Sequence, residues 1–167
     1  ASNLVAGDSN DAYDLFIRDT CNFVAGTAPC TPATRRIVMA VDGSQPNGDS
    51  GSTATSPANS LAVSFFGRHV AFVSSASNLV AGDTNGVDDV YFKTCLVQVG
   101  QSACTPALVR ASICADGSQS SFPASYPAVA EDGRYVLFVS ADPNMVAGDA
   151  NGTADVFLRD TCVGAGA

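Results

Sequence analysis

The apolar residues of the chain occur in short runs, and turn-forming residues separate one run from the next. Runs rich in Val, Ile, Phe and Tyr occupy residues 15–18, 37–41, 61–65, 70–74, 90–93, 109–115, 128–130, 135–140 and 156–159. Runs of this length and composition are typical of β-strands. Because no stretch has the apolar spacing of an amphipathic helix, the pattern predicts an all-β fold of antiparallel sheets with almost no helix.

The same phrase occurs three times along the chain. Ser-Asn-Leu-Val-Ala-Gly-Asp at residues 2–8 returns at residues 77–83, and Asn-Met-Val-Ala-Gly-Asp follows at residues 144–149. The first interval is longer because residues 46–60, rich in Gly, Ser, Thr, Asn and Pro, contain an insertion. We expect that insertion to form a surface loop. A repeat of more than about 50 residues with four short strands suits a propeller blade.

Only the middle unit of the repeat, at about residues 57–119, contains all four predicted strands. A partial unit at residues 1–45 supplies strands three and four, and another at about residues 123–162 supplies strands one to three. We therefore expect a single domain, residues 1–167, of about 2.5 blade-like repeats with incomplete blades at both ends. Incomplete blades leave unpaired sheet edges, which proteins cover or use for pairing.

Composition indicates a compartment and disfavours some partners. The 167 residues are 46% hydrophobic and carry a net charge of −8, which suits a packed soluble domain and disfavours nucleic acid. No apolar run is long enough to span a membrane. Because Ala1 opens directly into repeat sequence, with no signal peptide, we expect a mature extracellular protein, secreted or on the cell surface.

Six cysteines recur at repeat positions, which favours disulfides formed in an oxidising compartment. Cys21 and Cys30 lie nine residues apart, as do Cys95 and Cys104, and each pair would close a loop between two strands. Free buried thiols are the alternative. Zinc is disfavoured because the chain has no Cys-x-x-Cys pair.

The other two cysteines, Cys114 and Cys162, have no partner at that spacing. We expect an intrachain disulfide between them, because Cys114 falls in a predicted strand and could face another strand. The alternative is a bond from Cys162 to a neighbouring chain.

Three phrases of the last unit resemble a known family. Gly-Arg-Tyr-Val-Leu-Phe-Val-Ser at residues 133–140, the phrase at 144–149 and Asp-Val-Phe-Leu-Arg-Asp at 155–160 are similar to the Tol-type, WD-like β-propeller repeat of bacterial secreted proteins. The chain departs from that repeat at Phe66, where Asp is expected before Gly-Arg, and at the insertion after Gln45. The resemblance implies a propeller of four to eight blades with a binding or scaffold function, and this chain has too few blades to close a ring alone.

A Gly-Asp-x-Asn-Gly-x-x-Asp motif is the main candidate for chemistry. Its ligand-type residues are Asp83, Asn85 and Asp89 in the middle unit, Asp149, Asn151 and Asp155 in the last, and Asp8, Asn10 and Asp14 in the first, where Asp11 replaces the glycine. Oxygen atoms at this spacing could coordinate calcium, which is the predicted cofactor on this interpretation. The alternative is a loop without metal, in which Asp and Asn side chains accept hydrogen bonds from backbone amides and the glycine is left-handed.

No catalytic set emerges from the sequence. Gly-Asp-Ser-Gly at residues 48–51 resembles the nucleophile phrase of chymotrypsin-like proteases, but the one histidine, His69, follows Ser50 and sits in a predicted strand region. No base or oxyanion site accompanies the serine, so we predict that the protein is not an enzyme. Arg35, Arg36 and the Arg159-Asp160 pair are expected to form surface ion pairs of little energetic weight.

Two classes of function remain. The first is an extracellular structural protein whose partial blades pair with neighbouring copies in a head-to-tail array or filament. The second is a ligand-binding propeller module that is a fragment of a longer chain or closes by oligomerisation. We favour the first, with self-association through open sheet edges and without nucleic acid or a membrane span.

Overall fold

A computed structural model of the chain describes residues 4–21, 31–54, 59–96 and 107–163. These residues form nine strands and no helix, namely β1 (Phe16–Asp19), β2 (Ala33–Arg36), β3 (Leu61–Val63), β4 (Val70–Ser74), β5 (Asp89–Lys93), β6 (Leu108–Arg110), β7 (Ala124–Val129), β8 (Tyr135–Ser140) and β9 (Asp155–Asp160). Nothing in these four ranges is a helix that could cross a membrane.

The strands form three open antiparallel sheets, which we call the first, second and third sheet in chain order. Their strand orders are β1-β2, β3-β4-β5-β6 and β7-β8-β9. The prediction of an all-β fold with one complete unit between two partial ones is therefore confirmed.

Two predicted strands, β4 and β8, have the bounds that the sequence indicates, but others are displaced. The prediction of a strand at residues 37–41 is wrong, because β2 ends at Arg36 and the chain then enters the turn closed by Ala40 N and Ser44 O, 2.9 Å apart. Strand β6 is shorter than predicted, because the amides of Ala111 and Ser112 both donate to the carbonyl of Val90. This doubled contact is a bulge that ends regular pairing.

Strand β4 is buried on both faces because it lies between the other two sheets. Val70 and Phe72 point toward the first sheet and join a cluster completed by Leu15, Val38, Ala76, Leu79, Tyr91 and Leu96. Ala71 and Val73 point toward the third sheet and join a cluster completed by Val90, Phe92, Ala111, Ala124, Val136, Phe138, Met145 and Phe157. The core therefore consists of two separate layers, one on each side of the second sheet.

The insertion is not simply a surface loop over its first part. Ser50 is buried and forms an isolated β-bridge with Ser74, and the two hydroxyls lie 2.9 Å apart. The amide of Gly51 donates to the carbonyl of Val73 at 2.8 Å, and the amide of Ser50 donates to the carbonyl of Tyr13 at 2.7 Å. This segment thus joins the loop before β1 to the end of β4. Residues 55–58 of the insertion lie outside the described residues.

A second close contact joins the second and third sheets at His69. Gly133 has a φ of +74°, and a Cβ atom there would lie 2.6 Å from the imidazole ring. The ring also stacks on Phe92, and its Nδ1 is hydrogen-bonded to the hydroxyl of Thr94 at 2.9 Å. Only glycine fits at residue 133, for both steric and conformational reasons.

Candidate functional site

The first acidic loop, which contains Asp8, Asn10 and Asp14, is closed by an arginine from β2. Arg36 Nη2 lies 2.6 Å from Asp8 Oδ1 and 3.2 Å from Asp14 Oδ2, and all three side chains are buried. The amide nitrogen of Asn10 donates to Asp14 Oδ1 at 3.3 Å and to the carbonyl of Pro46 at 3.0 Å. The guanidinium thus lies between the two carboxylates that the motif presents.

The second acidic loop has the same arrangement, with an arginine from β6. Arg110 Nη2 lies 2.8 Å from Asp83 Oδ1, and its Nε lies 3.3 Å from Asp89 Oδ2. Asn85 Nδ2 donates to Asp89 Oδ2 at 3.0 Å, and the hydroxyl of Tyr91 donates to Asp83 Oδ2. In both loops, the guanidinium of an arginine from the same chain neutralises the carboxylates of the motif.

Strand pairing explains why the arginine reaches the loop. In the β1-β2 register Phe16 lies opposite Arg36, and in the β5-β6 register Tyr91 lies opposite Arg110. Each guanidinium carbon lies over the ring of its opposite aromatic residue, at 5.8 Å for Phe16 and 6.0 Å for Tyr91. The aromatic ring and the two carboxylates thus form one binding place for the guanidinium, which we call the arginine clamp.

A glutamine from the segment after β2 or β6 completes each clamp. Gln45 Nε2 donates to the carbonyl of Gly7, and Gln119 Nε2 donates to the carbonyl of Gly82, both at 2.8 Å. The glutamine oxygens accept hydrogen bonds from the amides of Ser9 at 3.1 Å and Thr84 at 2.9 Å. Each loop is therefore held by two side chains that follow it in sequence.

Burial controls the ionisation of the clamp residues. Burial raises the pKa of Asp14, and burial also raises the pKa of Asp89, in opposition to the hydrogen bonds from Ser112 and Asn85 and the charge of Arg110. Burial works against the charge of Arg110, but the carboxylate of Asp89 raises its pKa overall. The pKa of Tyr91 is raised, first by burial and then by its hydrogen bond to Asp83. The clamp therefore keeps its arginine charged.

The third acidic loop has the acids but no arginine. Asn151 Nδ2 donates to Asp155 Oδ2 at 2.7 Å, and the amide of Asn151 donates to Asp149 Oδ1 at 3.4 Å. No ion pair within the described part of the chain includes Asp149 or Asp155. Phe157 occupies the place that Tyr91 has in the second sheet, and its ring packs on Phe138 at 5.8 Å. The third loop is therefore an open arginine clamp.

A groove of about 760 Å³ runs beside this open clamp. Its walls come from the third acidic loop and from β9, and they include Asp149, Asn151, Asp155, Phe157 and Arg159. In the second sheet, β6 pairs with the corresponding edge of β5. Among the described residues no strand pairs with this edge of β9.

The loop geometry agrees with the turn interpretation of the motif. The glycines at the fifth motif position, Gly86 and Gly152, have φ of 68° and 67°, and Asp11 at the same place has a φ of 54°. The side-chain oxygen of Asn151 accepts the amide of Thr153 at 2.9 Å, which is an Asx-turn contact. These contacts are the ones that the turn interpretation predicts.

The calcium prediction is constrained by the arginines. The structure holds no group of three or more His, Cys, Asp or Glu residues arranged for a metal within the ranges it describes. A cation in the first two loops would compete with Arg36 and Arg110 for the same carboxylates. Asn10 Oδ1 and Asn85 Oδ1 are buried without a hydrogen-bond partner, and these are the atoms a cation or a water would satisfy. Calcium binding stays a prediction.

The cysteines divide into bonded and free. Cys21 and Cys95 are disulfide-bonded. Their predicted partners, Cys30 and Cys104, lie outside the described residues, so these two pairings stay predictions. The predicted bond between Cys114 and Cys162 is wrong, since both thiols are free. Cys114 is buried in the turn after β6 beside Asp142, whereas Cys162 is exposed beyond the end of β9.

The protease-like phrase does not form a catalytic pair. The Ser50 hydroxyl is hydrogen-bonded to that of Ser74, and His69 Nδ1 is bonded to Thr94 instead. Burial lowers the pKa of His69, which keeps the ring neutral near physiological pH.

The residues that sequence reasoning missed are the two clamp arginines. The sequence predicts Arg36 in a surface ion pair, whereas its side chain is buried between two carboxylates, and the sequence pattern makes no prediction for Arg110. A signal was available, because each arginine lies six residues before an Asp-Gly turn, at Asp42 and Asp116.

Comparison of the chain with protein-family models, curated proteins and solved structures finds no match.

Proposed function

We propose that the chain is an extracellular structural module that joins neighbouring copies head to tail through the exposed outer face of its third sheet. One observation carries the proposal, namely that residues which are covered in the second sheet are uncovered in the third. The resemblance to a propeller repeat supports the same stacking of successive sheets.

The equivalent residues can be compared directly. Ala71, Val90 and Phe92 of the second sheet are fully buried because the third sheet packs against them. Their repeat equivalents in the third sheet are Leu137, Val156 and Leu158, with 41%, 69% and 61% of their surface exposed. An apolar sheet face of this kind is typical of a surface that another sheet covers.

The contact would be heterologous, which is why an array is the expected product. In the described part of the chain, the corresponding face of the second sheet is covered by a different surface, that of the third sheet, so the same stacking brings a different surface of the next copy onto the third sheet. Contacts between two different surfaces continue from copy to copy unless the rotation closes them into a ring. The extracellular location is supported by the disulfide-bonded Cys21 and Cys95, because disulfides persist in oxidising compartments.

Sedimentation velocity of the purified chain over a wide concentration range tests the proposal. We expect a series of species whose average mass rises with concentration. The Leu158→Lys variant should shift assembly to at least about tenfold higher concentration, because a charge on the covered face must be desolvated.

Val63→Lys on β3 is the matched control, since Val63 is exposed to a similar degree on a different sheet. It should assemble like the parent chain. A parent chain that stays monomeric at every concentration would contradict the proposal, and a single closed ring would support the oligomeric ligand-binding module instead.

A further inference from the structure

Strand β9, whose outer edge is paired with no described strand, has almost the same sequence as β1, which pairs with β2. Residues 14–21 read Asp-Leu-Phe-Ile-Arg-Asp-Thr-Cys, and residues 155–162 read Asp-Val-Phe-Leu-Arg-Asp-Thr-Cys. The two differing positions exchange one aliphatic side chain for another. The backbone agrees as well, since the amide of Cys21 donates to Asp19 and the amide of Cys162 donates to Asp160, both at 2.9 Å.

The groups that receive an arginine in the first two loops are therefore all present in the third. Asp149 and Asp155 correspond to the two carboxylates of each clamp, and Phe157 corresponds to the aromatic residue under the guanidinium. The groove lies beside the edge of β9, which corresponds to the edge of β5 that pairs with β6 in the second sheet. The carboxylates, the aromatic ring and an edge that no described strand pairs thus coincide at one place.

We infer that the edge of β9 that no described strand pairs is a binding site for an extended peptide segment that resembles β2 or β6. One arginine of this segment binds in the open clamp between Asp149 and Asp155. The segment adds to the third sheet by antiparallel pairing, so its backbone supplies the affinity and its arginine supplies the specificity. The inference rests on the repeat geometry and does not require that copies of the chain associate.

The β1-β2 register gives the expected alignment of the segment. Phe16 pairs with Arg36, Ile17 with Arg35 and Arg18 with Thr34. By equivalence, Phe157 would lie opposite the clamp arginine, and Arg159 would lie opposite a threonine. Arg18 Nη1 donates to the Thr34 hydroxyl at 2.9 Å in the first sheet, and Arg159 can make the same contact. The Thr-Arg-Arg sequence of β2 therefore suits this edge better than the Leu-Val-Arg sequence of β6.

The probe is a labelled synthetic peptide with the sequence of residues 31–41, titrated with the intact chain and followed by fluorescence anisotropy. We expect saturable binding, with slowed hydrogen exchange in the amides of residues 155–160. A peptide with Arg36→Met should bind at least about tenfold more weakly. A peptide with Arg35→Met, which has the same net charge, should keep most of the affinity, because Arg35 lies opposite Ile17 and not in the clamp.

Variants of the chain provide the second arm. The double variant Asp149→Asn and Asp155→Asn should lose at least about tenfold in affinity for the peptide. The double variant Asp42→Asn and Asp116→Asn changes the net charge equally in two exposed turns and should bind like the parent. Equal binding of the two peptides, or equal binding by the two double variants, would overturn the inference.

These results separate the inference from the proposed function. Specific peptide binding by a chain that stays monomeric would support the binding site and contradict head-to-tail assembly. Assembly that is unchanged in the Asp149→Asn and Asp155→Asn variant, together with no specific peptide binding, would overturn the binding site and leave the assembly proposal intact.

Discussion

Replacement of Arg110 by methionine isolates the contribution of one clamp. Arg110, Asp83 and Asp89 have side-chain exposures of 7%, 5% and 1%, so the two carboxylates would be left without their counter-charge and away from water. Methionine retains most of the apolar stem, so packing changes little. Removal of one partner from a buried ion pair typically costs about 3–5 kcal/mol.

The matched control is Arg134→Met, which removes the ion pair with Asp160. Both of these side chains are well exposed, at 43% and 38%, and exposed pairs contribute about 0–1 kcal/mol. Urea denaturation monitored by tyrosine fluorescence gives the free energy of unfolding for both variants. We expect Arg110→Met to lose at least about 2 kcal/mol more than Arg134→Met.

The pH dependence tests the physical cause. Burial already raises the pKa of Asp89, and loss of the guanidinium raises it further. A carboxyl with a folded pKa above its unfolded pKa holds its proton more tightly in the folded state, so its ionisation costs stability as the pH rises. The loss in Arg110→Met should therefore diminish as the pH falls toward the ordinary aspartate value of 3.8. Equal losses in the two arginine variants at neutral pH would refute the clamp.

Two further predictions concern the junction of the second and third sheets. Gly133→Ala should lower the free energy of unfolding by about 2 kcal/mol more than Gly117→Ala. Both glycines have positive φ, but only a Cβ atom at residue 133 meets the His69 ring. Thermal denaturation measures the difference, and equal losses of stability in the two variants would contradict the prediction. Burial lowers the pKa of His69, so the unfolded chain binds its proton first and the free energy of unfolding should fall as the pH drops through 6.5. Because the chain has one histidine, His69→Gln should remove most of that slope, and a slope that persists in the variant would assign it to another group.

The sequence predicts this fold well where a strand is recognisable from its own residues. The bounds of β4 and β8 agree with their apolar runs because neighbouring sheets cover β4 on both faces and β8 on one face. Strand β2 could not be placed in this way, since Ala-Thr-Arg-Arg has no apolar pattern and forms a strand only by pairing with β1. The acidic motif was visible, but the arginine that fills it comes from a later strand. The local motif therefore specifies the carboxylates, whereas the register of strand pairing determines which arginine reaches them.

The clamp also has a consequence for the order in which the protein becomes structured. Asp83 precedes Arg110 by 27 residues, and Asp8 precedes Arg36 by 28. During synthesis each acidic loop therefore leaves the ribosome before the residue that neutralises it, and like charges oppose its compaction until then. Since domains form as their chain emerges, the carboxylates of these two loops gain their counter-charge only when β2 or β6 docks. In the first and second sheets, completion of the sheet and neutralisation of its acidic loop are therefore the same event.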